Sequence, residues 1–166
     1  LVGAFVLVAA RVLTAGEARR SVDLDVIILI AASFGLGRAL EITGLASAAS
    51  EAIVAPFGSL GSLGILLGVV LAAVALTELI TNNAALVLIF PIAMAAAATH
   101  GLDPRAVALI VTIAASASFL TPIGYQTNTM VYGPGGYRFG DYVRLGLPLT
   151  VLVVAVLVLG YPLIAG

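Results

Sequence analysis

Residues 60–99 set the terms for any fold of this chain. Two apolar arms, 60–76 and 84–98, flank a polar centre, Thr77-Glu78-Leu79-Ile80-Thr81-Asn82-Asn83, with no Gly/Pro loop between them. A helix rises about 1.5 Å per residue, so each arm nearly crosses a hydrocarbon core of about 30 Å. The turn between them must be tight. Each unpaired polar group left in hydrocarbon costs several kcal/mol. Such a run therefore has two outlets: a tight turn at the water interface, or the lining of a cavity at depth.

Composition selects the solvent. Hydrophobic residues make up 62% of the chain and charged residues 9%, with a mean hydropathy of +1.23. A soluble domain is about half apolar and about a quarter charged. Too little polar surface is present to wrap a water-soluble globule, so the expected fold class is an all-α membrane protein. The net charge of −1 favours neither nucleic acid nor an anionic surface as partner. There is no lysine, and the seven arginines sit near predicted segment ends. Cysteine is absent and His100 is the single histidine, which removes disulfides, thiolate sites and multi-histidine metal centres. The chain starts at Leu1 inside an apolar run with no basic leader or cleavage site, so more sequence is expected before it.

The remaining segments order themselves around the hairpin-like stretch. Residues 1–13 read as the tail of a spanning helix, closed by the polar stretch 17–25. A second span is predicted over 24–43, and Arg38 and Glu41, three apart, read as a simple ion pair on it. Residues 46–54 are too few to cross the core and read as an interfacial helix stopping at Pro56–Gly58. Asp103 as N-cap and Pro104 at the first helical position open a helix over 104–120. That helix breaks in Thr121-Pro122-Ile123-Gly124-Tyr125-Gln126-Thr127-Asn128, resumes at Thr129 and ends near Gly133-Pro134-Gly135-Gly136. A last span covers 145–164. Arg11, Arg19 and Arg20 border the first connection, and Arg138 and Arg144 the last; placing these in the cytoplasm orients every segment consistently.

Both polar breaks are suited to ions. Thr81 or Asn82 can cap a helix starting near Asn83. Such a cap leaves N–H groups and the positive dipole end pointing at the cavity, ready for an anion. The Thr77 hydroxyl, the Asn82 amide oxygen and unwound carbonyls can coordinate a small cation. At the second break, Gln126, Thr127 and Asn128 supply neutral donors and acceptors, with Thr127 or Asn128 as cap. The plainer reading there is a proline kink satisfied by Ser116, Ser118 and Thr121. Two interrupted helices with amide and hydroxyl residues at each break favour a binding site between them. Glu78, the sole acid in the apolar core, either tunes a cation site or hydrogen-bonds the hairpin backbone. Gly61, Gly64 and Gly68, continued by Ala72 and Ala75, form a small-residue face for close helix packing. No enzyme signature such as His-Glu-x-x-His or Gly-x-Ser-x-Gly occurs. A channel would need rings of repeated carbonyls or like charges.

Thr77-Glu78-Leu79-Ile80-Thr81-Asn82-Asn83-Ala84-Ala85, with Phe90-Pro91 following, resembles the second Ser-Asn-Thr motif of the divalent anion:sodium symporter family. Ala114-Ala115-Ser116-Ala117-Ser118-Phe119-Leu120-Thr121-Pro122, with Gly124 and Asn128, resembles the same family. The stretch Tyr125 to Arg138 is similar to the branch whose members carry soluble TrkA-C domains between their transmembrane halves. The likeness covers nearly the whole chain. It implies one inverted repeat of an ion-transporter-superfamily fold: the C-terminal half of a carrier over 1–166. Within it, 1–58 would be scaffold helices and interfacial helix, 59–99 a re-entrant hairpin with its tip at mid-membrane, 104–133 a broken helix and 145–164 the last span.

By the same resemblance, a sodium site falls on Thr77, the Ile80 carbonyl, Asn82 and the Gly124 carbonyl. Substrate contacts fall on Thr81, Asn82 and Asn83, with Gln126 and Thr127, and with Asn128 beside them, facing from the broken helix. The implied function is sodium-coupled transport of a divalent anion by a permease of the cell membrane, with Na+ as coupling ion and no organic cofactor. The missing N-terminal half and a second copy, in a homodimer, are the implied partners. Related arsenite or proton-coupled antiporters share the plan. Asn83 stands where dicarboxylate carriers have threonine, and Tyr125-Gln126-Thr127 replaces their Thr-Pro-Pro, which raises sulfate beside dicarboxylates as the substrate. No arginine or lysine lies between Arg38 and Arg105 or between Arg105 and Arg138. Anion binding is therefore expected to depend on co-bound sodium.

Overall fold

The computed structural model describes residues 24–166 together with residues 3, 6, 9, 10, 12, 14, 16 and 17. Arg11, Arg19, Arg20 and the expected helix over 1–13 as a whole lie outside the described residues. The chain divides into two compact units, Leu1–Phe34 and Gly35–Gly166. In the first, Thr14 and Glu17 form a reciprocal capping box. The Thr14 N–H and hydroxyl each donate to Glu17 Oε2 at 2.8 Å, and the Glu17 N–H donates back to Thr14 Oγ1 at 3.2 Å. Those two donors, the backbone N–H first, hold the Glu17 carboxyl below its ordinary range.

Among the described residues every regular element is helical. Helix α1 is Leu24–Ile42 and α2 is Leu45–Val54; a 3-10 turn, Ala55–Leu60, leads into α3, Gly61–Leu79. Then come α4, Asn82–His100; α5, Pro104–Ala114; α6, Gln126–Tyr132; α7, Phe139–Leu159; and α8, Tyr161–Ala165. Among the described residues three segments are long and apolar enough to cross a membrane: Leu45–Leu79, Asn82–His100 and Phe139–Ala165. The all-α membrane fold is thus borne out.

The hairpin of α3 and α4 organises the second unit. Its arms pack on each other, α2 lies against both, α5 joins them, and α7 packs on α3 and α5. Leu66, Val69, Val70 and Ala73 of α3 meet Ile89, Ala93, Ala96 and Ala97 of α4 and Val107, Ile110, Val111 and Ala114 of α5 in one buried cluster. Alanine is frequent on α4 and α5, which lets these backbones approach closely. The glycine face of α3 serves a nearer neighbour than expected. Phe57 of the 3-10 turn folds back onto Gly64 and Gly68, where a Cβ would stand 2.2 Å from the Phe57 carbonyl oxygen and 2.9 Å from its ring. Ala75, at the end of that face, is exposed.

Local signals placed most ends correctly. Asp103 Oδ1 accepts from the Ala106 N–H at 2.7 Å with Pro104 at the first position, and the Asp103 N–H donates to Tyr161 Oη at 2.9 Å. Arg38 and Glu41 pair at 3.1 Å on an exposed face. Four boundaries differ. Helix α3 runs on to Leu79, so Thr77 and Glu78 belong to its last turn rather than to the link. Helix α5 stops at Ala114, not 120. Helix resumes at Gln126 rather than Thr129, and the last span begins at Phe139, not 145. Helix α5 cannot run on to 120 because the backbone amides of Phe119, Leu120 and Thr121 are claimed by Glu78 of the hairpin tip.

Candidate ion and anion site

The link between α3 and α4 is two residues. Ile80 is extended (φ −134°, ψ 177°), which lifts its carbonyl out of the helical ladder, and Thr81 is extended as the N-cap of α4. Thr81 Oγ1 accepts from the Ala84 N–H at 3.4 Å, so the expected cap is realised, one residue before the expected start. One turn back, Thr77 and Glu78 are 0% and 6% exposed in otherwise apolar surroundings, and polar groups so placed need partners. They find them across more than 35 residues of sequence.

Thr77 Oγ1 lies 2.7 Å from Asn82 Oδ1 and 2.5 Å from the carbonyl oxygen of Ala115. With the Asn82 amide oxygen turned to Thr77, three oxygens share a single hydroxyl proton. Glu78 reaches the break instead of the hairpin backbone. Its Oε1 accepts from the N–H groups of Phe119 and Leu120, and its Oε2 from that of Thr121, each at 2.8 Å. Thr121 Oγ1 donates to the Glu78 carbonyl at 3.0 Å, and Ser118 Oγ to the Thr77 carbonyl at 3.2 Å. These bonds keep α5 from running on to 120: consecutive amides aimed at one carboxylate cannot also feed a helical ladder.

Gly124 lies against this assembly. A Cβ on it would stand 2.1 Å from Ser118 Oγ, 2.3 Å from the Thr77 carbonyl oxygen and 3.1 Å from Glu78 Cα. Only glycine lets the break touch the hairpin tip. Helix α6 is seven residues with Tyr125 as N-cap and no side-chain cap bond, so neither Thr127 nor Asn128 caps it. Asn128 instead donates through Nδ2 to the carbonyls of Ser118 and Thr121, at 3.0 and 3.1 Å. Thr129 Oγ1 donates to the Pro122 carbonyl at 2.6 Å, and Tyr142 Oη to that of Asn128 at 2.9 Å. The break is a built loop fastened at both ends, not a simple proline kink.

Of the residues singled out by sequence, the structure gathers Thr77, Asn82 and Gly124, with Ile80 at the link. Thr81, Asn83, Gln126 and Thr127 are exposed, while Asn82 and Asn128 are half-buried. Two contributors escaped the sequence reading, the Ala115 carbonyl and the Phe119–Thr121 amides, and Ser118, expected to satisfy the break itself, bonds the Thr77 carbonyl of the hairpin instead. The two serines of Ala115-Ser116-Ala117-Ser118 were the available signal, since Ser118 is buried and Ser116 exposed.

The sequence profile of the citrate transporter family, a family of transporters, matches residues 1–166. An uncharacterized transporter of Synechocystis sp. is 46% identical over 151 residues, which is 91% of this chain and 25% of that protein. The probable sodium/sulfate cotransporter 3 of Chlamydomonas reinhardtii is 37% identical over 95% of this chain and 18% of its own length. Solute carrier family 13 member 1 of Rattus norvegicus is 32% identical over 82% of this chain and 23% of its own. The chain spans about a quarter of the length of the first of these relatives. Such relatives bear out the resemblance to divalent anion:sodium symporters. Matched end to end by that profile, and built of helices long and apolar enough to cross a bilayer, this chain is an integral membrane protein and belongs to the citrate transporter family.

Proposed function

We propose that this chain supplies half of the binding site of a secondary carrier in the cell membrane, one that moves a divalent anion together with sodium by alternating access. One observation carries the reading: the oxygen cluster of Thr77, Asn82 and Ala115, formed where the hairpin tip meets the break. Hard cations take oxygen ligands, and a cluster with more acceptors than protons is the donor set such an ion completes. Thr77 Oγ1, Asn82 Oδ1 and the Ala115 carbonyl would hold sodium, joined by the carbonyls of Ile80 and Gly124. The ion is cargo here; no organic cofactor and no catalytic residue enters.

The anion would sit against the N-terminus of α4, where the cap residue Thr81 and Asn83 are exposed and Asn82 is half-buried with its amide oxygen on Thr77. Gln126 and Thr127 add neutral donors from the opposing break. Asn128 acts as a support, because its Nδ2 is already engaged by two carbonyls. The 19-residue α4 carries a full macrodipole, whereas seven-residue α6 contributes little, so the anion's field comes mainly from one side. With no arginine or lysine between Arg38 and Arg105, sodium provides the positive charge. Asn83 in place of threonine, and relatives named as sodium/sulfate cotransporters, favour sulfate over a dicarboxylate. The α3–α4 hairpin would enter from outside as a re-entrant element. The exposed polar residues would face the other inverted repeat, contributed by the N-terminal half, within a homodimer.

The test is uptake of labelled sulfate and of succinate by the full-length protein in liposomes, with and without an inward sodium gradient. Sodium-stimulated, saturable sulfate uptake is expected. Equal uptake in sodium and in choline would overturn the proposal.

A further inference from the structure

Between α6 and α7 lies a cavity of about 290 Å³ that the carrier reading does not use. It marks missing packing: among the described residues α6 shares no extensive contact with any other helix. A bond from Tyr142 Oη to the Asn128 carbonyl, at 2.9 Å, and the Tyr132–Tyr142 ring contact, at 6.1 Å, tie it to α7. The segment Phe139–Ala165 is long enough to cross a bilayer, and its opening turns, from Asp141 to Leu149, form one wall of the cavity. The cavity therefore stands at a headgroup boundary, the level at which tyrosines gather. Tyr137 adds a third ring there, 6.0 Å from that of Tyr142. Phe119, Val131, Leu145 and Leu149 make much of the lining apolar, and the charged residue in it is Asp141. Asp141 Oδ2 accepts from the Arg138 N–H at 2.7 Å, while Oδ1 bonds to nothing among the described residues. Arg138 and Arg144, three residues to either side, are exposed and share that side of the helix. Neither pairs with Asp141; the ion pair among the described residues is Arg38–Glu41.

An apolar cleft headed by a carboxylate between two guanidiniums fits a headgroup in which an ammonium stands beside a phosphate. We propose that this cavity binds a phospholipid with a primary-ammonium headgroup, phosphatidylethanolamine. Its ammonium donates to Asp141 Oδ1, its phosphate lies between Arg138 and Arg144, and one acyl chain enters along Leu145 and Leu149. A trimethylated ammonium has no N–H to give the carboxylate, and a headgroup without an amine sets its phosphate beside an unanswered acid; both are held more weakly. A seated chain supplies the packing that α6 lacks and braces the break through Phe119 and Asn128. The inference goes beyond the carrier reading and depends only on the chain lying in a bilayer.

The test titrates phosphatidylethanolamine, phosphatidylcholine and phosphatidylglycerol of matched chains into delipidated full-length protein in detergent, reading the first lipid bound by native mass spectrometry. The ethanolamine lipid is expected to bind about tenfold or more tighter than the other two, the size of a hydrogen bond to a charged group. Asp141→Asn keeps an oxygen for the Arg138 N–H but loses the charge, and should bring the three lipids within about threefold of one another. Leu149→Trp fills the cavity from an exposed position and should abolish the preferred binding. Equal binding of all three lipids by the wild type overturns the proposal, leaving only a non-specific lipid belt. So does a preference for phosphatidylglycerol, which the arginines alone would give. Absence of bound lipid also overturns it and points to a segment of the N-terminal half as the occupant. An Asp141→Asn variant that keeps the ethanolamine preference refutes the headgroup assignment. If that variant does not fold, Leu149→Trp decides, and unchanged lipid binding there overturns the site.

Discussion

Gly124 offers the sharpest test of the contact between hairpin tip and break. In Gly124→Ala the new Cβ would stand 2.3 Å from the Thr77 carbonyl oxygen and 2.1 Å from Ser118 Oγ. A carbon and an oxygen settle at about 3.3 Å or more, so the two segments must part by roughly 1 Å. Ser118 can rotate away, but the Thr77 carbonyl is backbone and cannot. Overpacking of this kind costs about 1–3 kcal/mol. The hydrogen bonds between Glu78 and residues 119–121, all at 2.8 Å, would stretch past useful length with the same movement. Gly133→Ala is the matched control, since nothing lies within 4 Å of its Cβ position. Thermal unfolding and sodium-dependent sulfate uptake of the two variants would be compared in the full-length protein. The Gly124 variant should melt earlier and need more sodium for half-maximal uptake. If it matched the Gly133 variant in both, the close approach described here would be wrong.

Other substitutions probe the remaining joints. Thr77→Val keeps the shape but removes the hydroxyl that lies between Asn82 Oδ1 and the Ala115 carbonyl; sodium-stimulated uptake should fall by about tenfold or more, the loss of one neutral oxygen ligand to a charged ion, and uptake at wild-type sodium dependence would remove Thr77 from the site. Gly146→Ala places a Cβ 2.1 Å from the Phe119 carbonyl oxygen, so α7 should be pushed off the break and the protein destabilised by about 1–3 kcal/mol in a thermal melt. Asn128→Asp turns a double donor into an acceptor facing the carbonyls of Ser118 and Thr121. Its cost should be about 1–3 kcal/mol or more, and a variant as stable as wild type would mean those two bonds contribute nothing.

The apolar arms, the tight link, the Thr81 cap and the Asp103-Pro104 start were all readable in the chain, because each rests on neighbours within four residues. The span of α5 was not. Alanine, serine and leucine through 120 are compatible with helix, and Pro122 was the first visible breaker. What keeps the helix from reaching 120 is a carboxylate some 40 residues away in sequence that collects the Phe119, Leu120 and Thr121 amides, after the ladder has already tightened to i→i−3 bonds at Ser116 and Ala117. Glu78 was legible as an oddity, a lone acid in hydrocarbon, but its partners were not. Asn128 shows the same limit: its type suits a cap, and tertiary carbonyls gave it other work. Polar residues in an apolar chain announce that a partner exists without naming it.

The link between α3 and α4 is too short to carry the chain anywhere. With Ile80 and Thr81 alone between two 19-residue arms, the polypeptide leaves on the face by which it came, however deep the tip reaches. The pair therefore adds an even number of crossings, two or none, and is silent in the parity of the topology. Cutting out residues 61–100 would leave every downstream helix with its original sidedness, so reporter tags placed after α5 and after α7 would keep their accessibility while the site itself was gone.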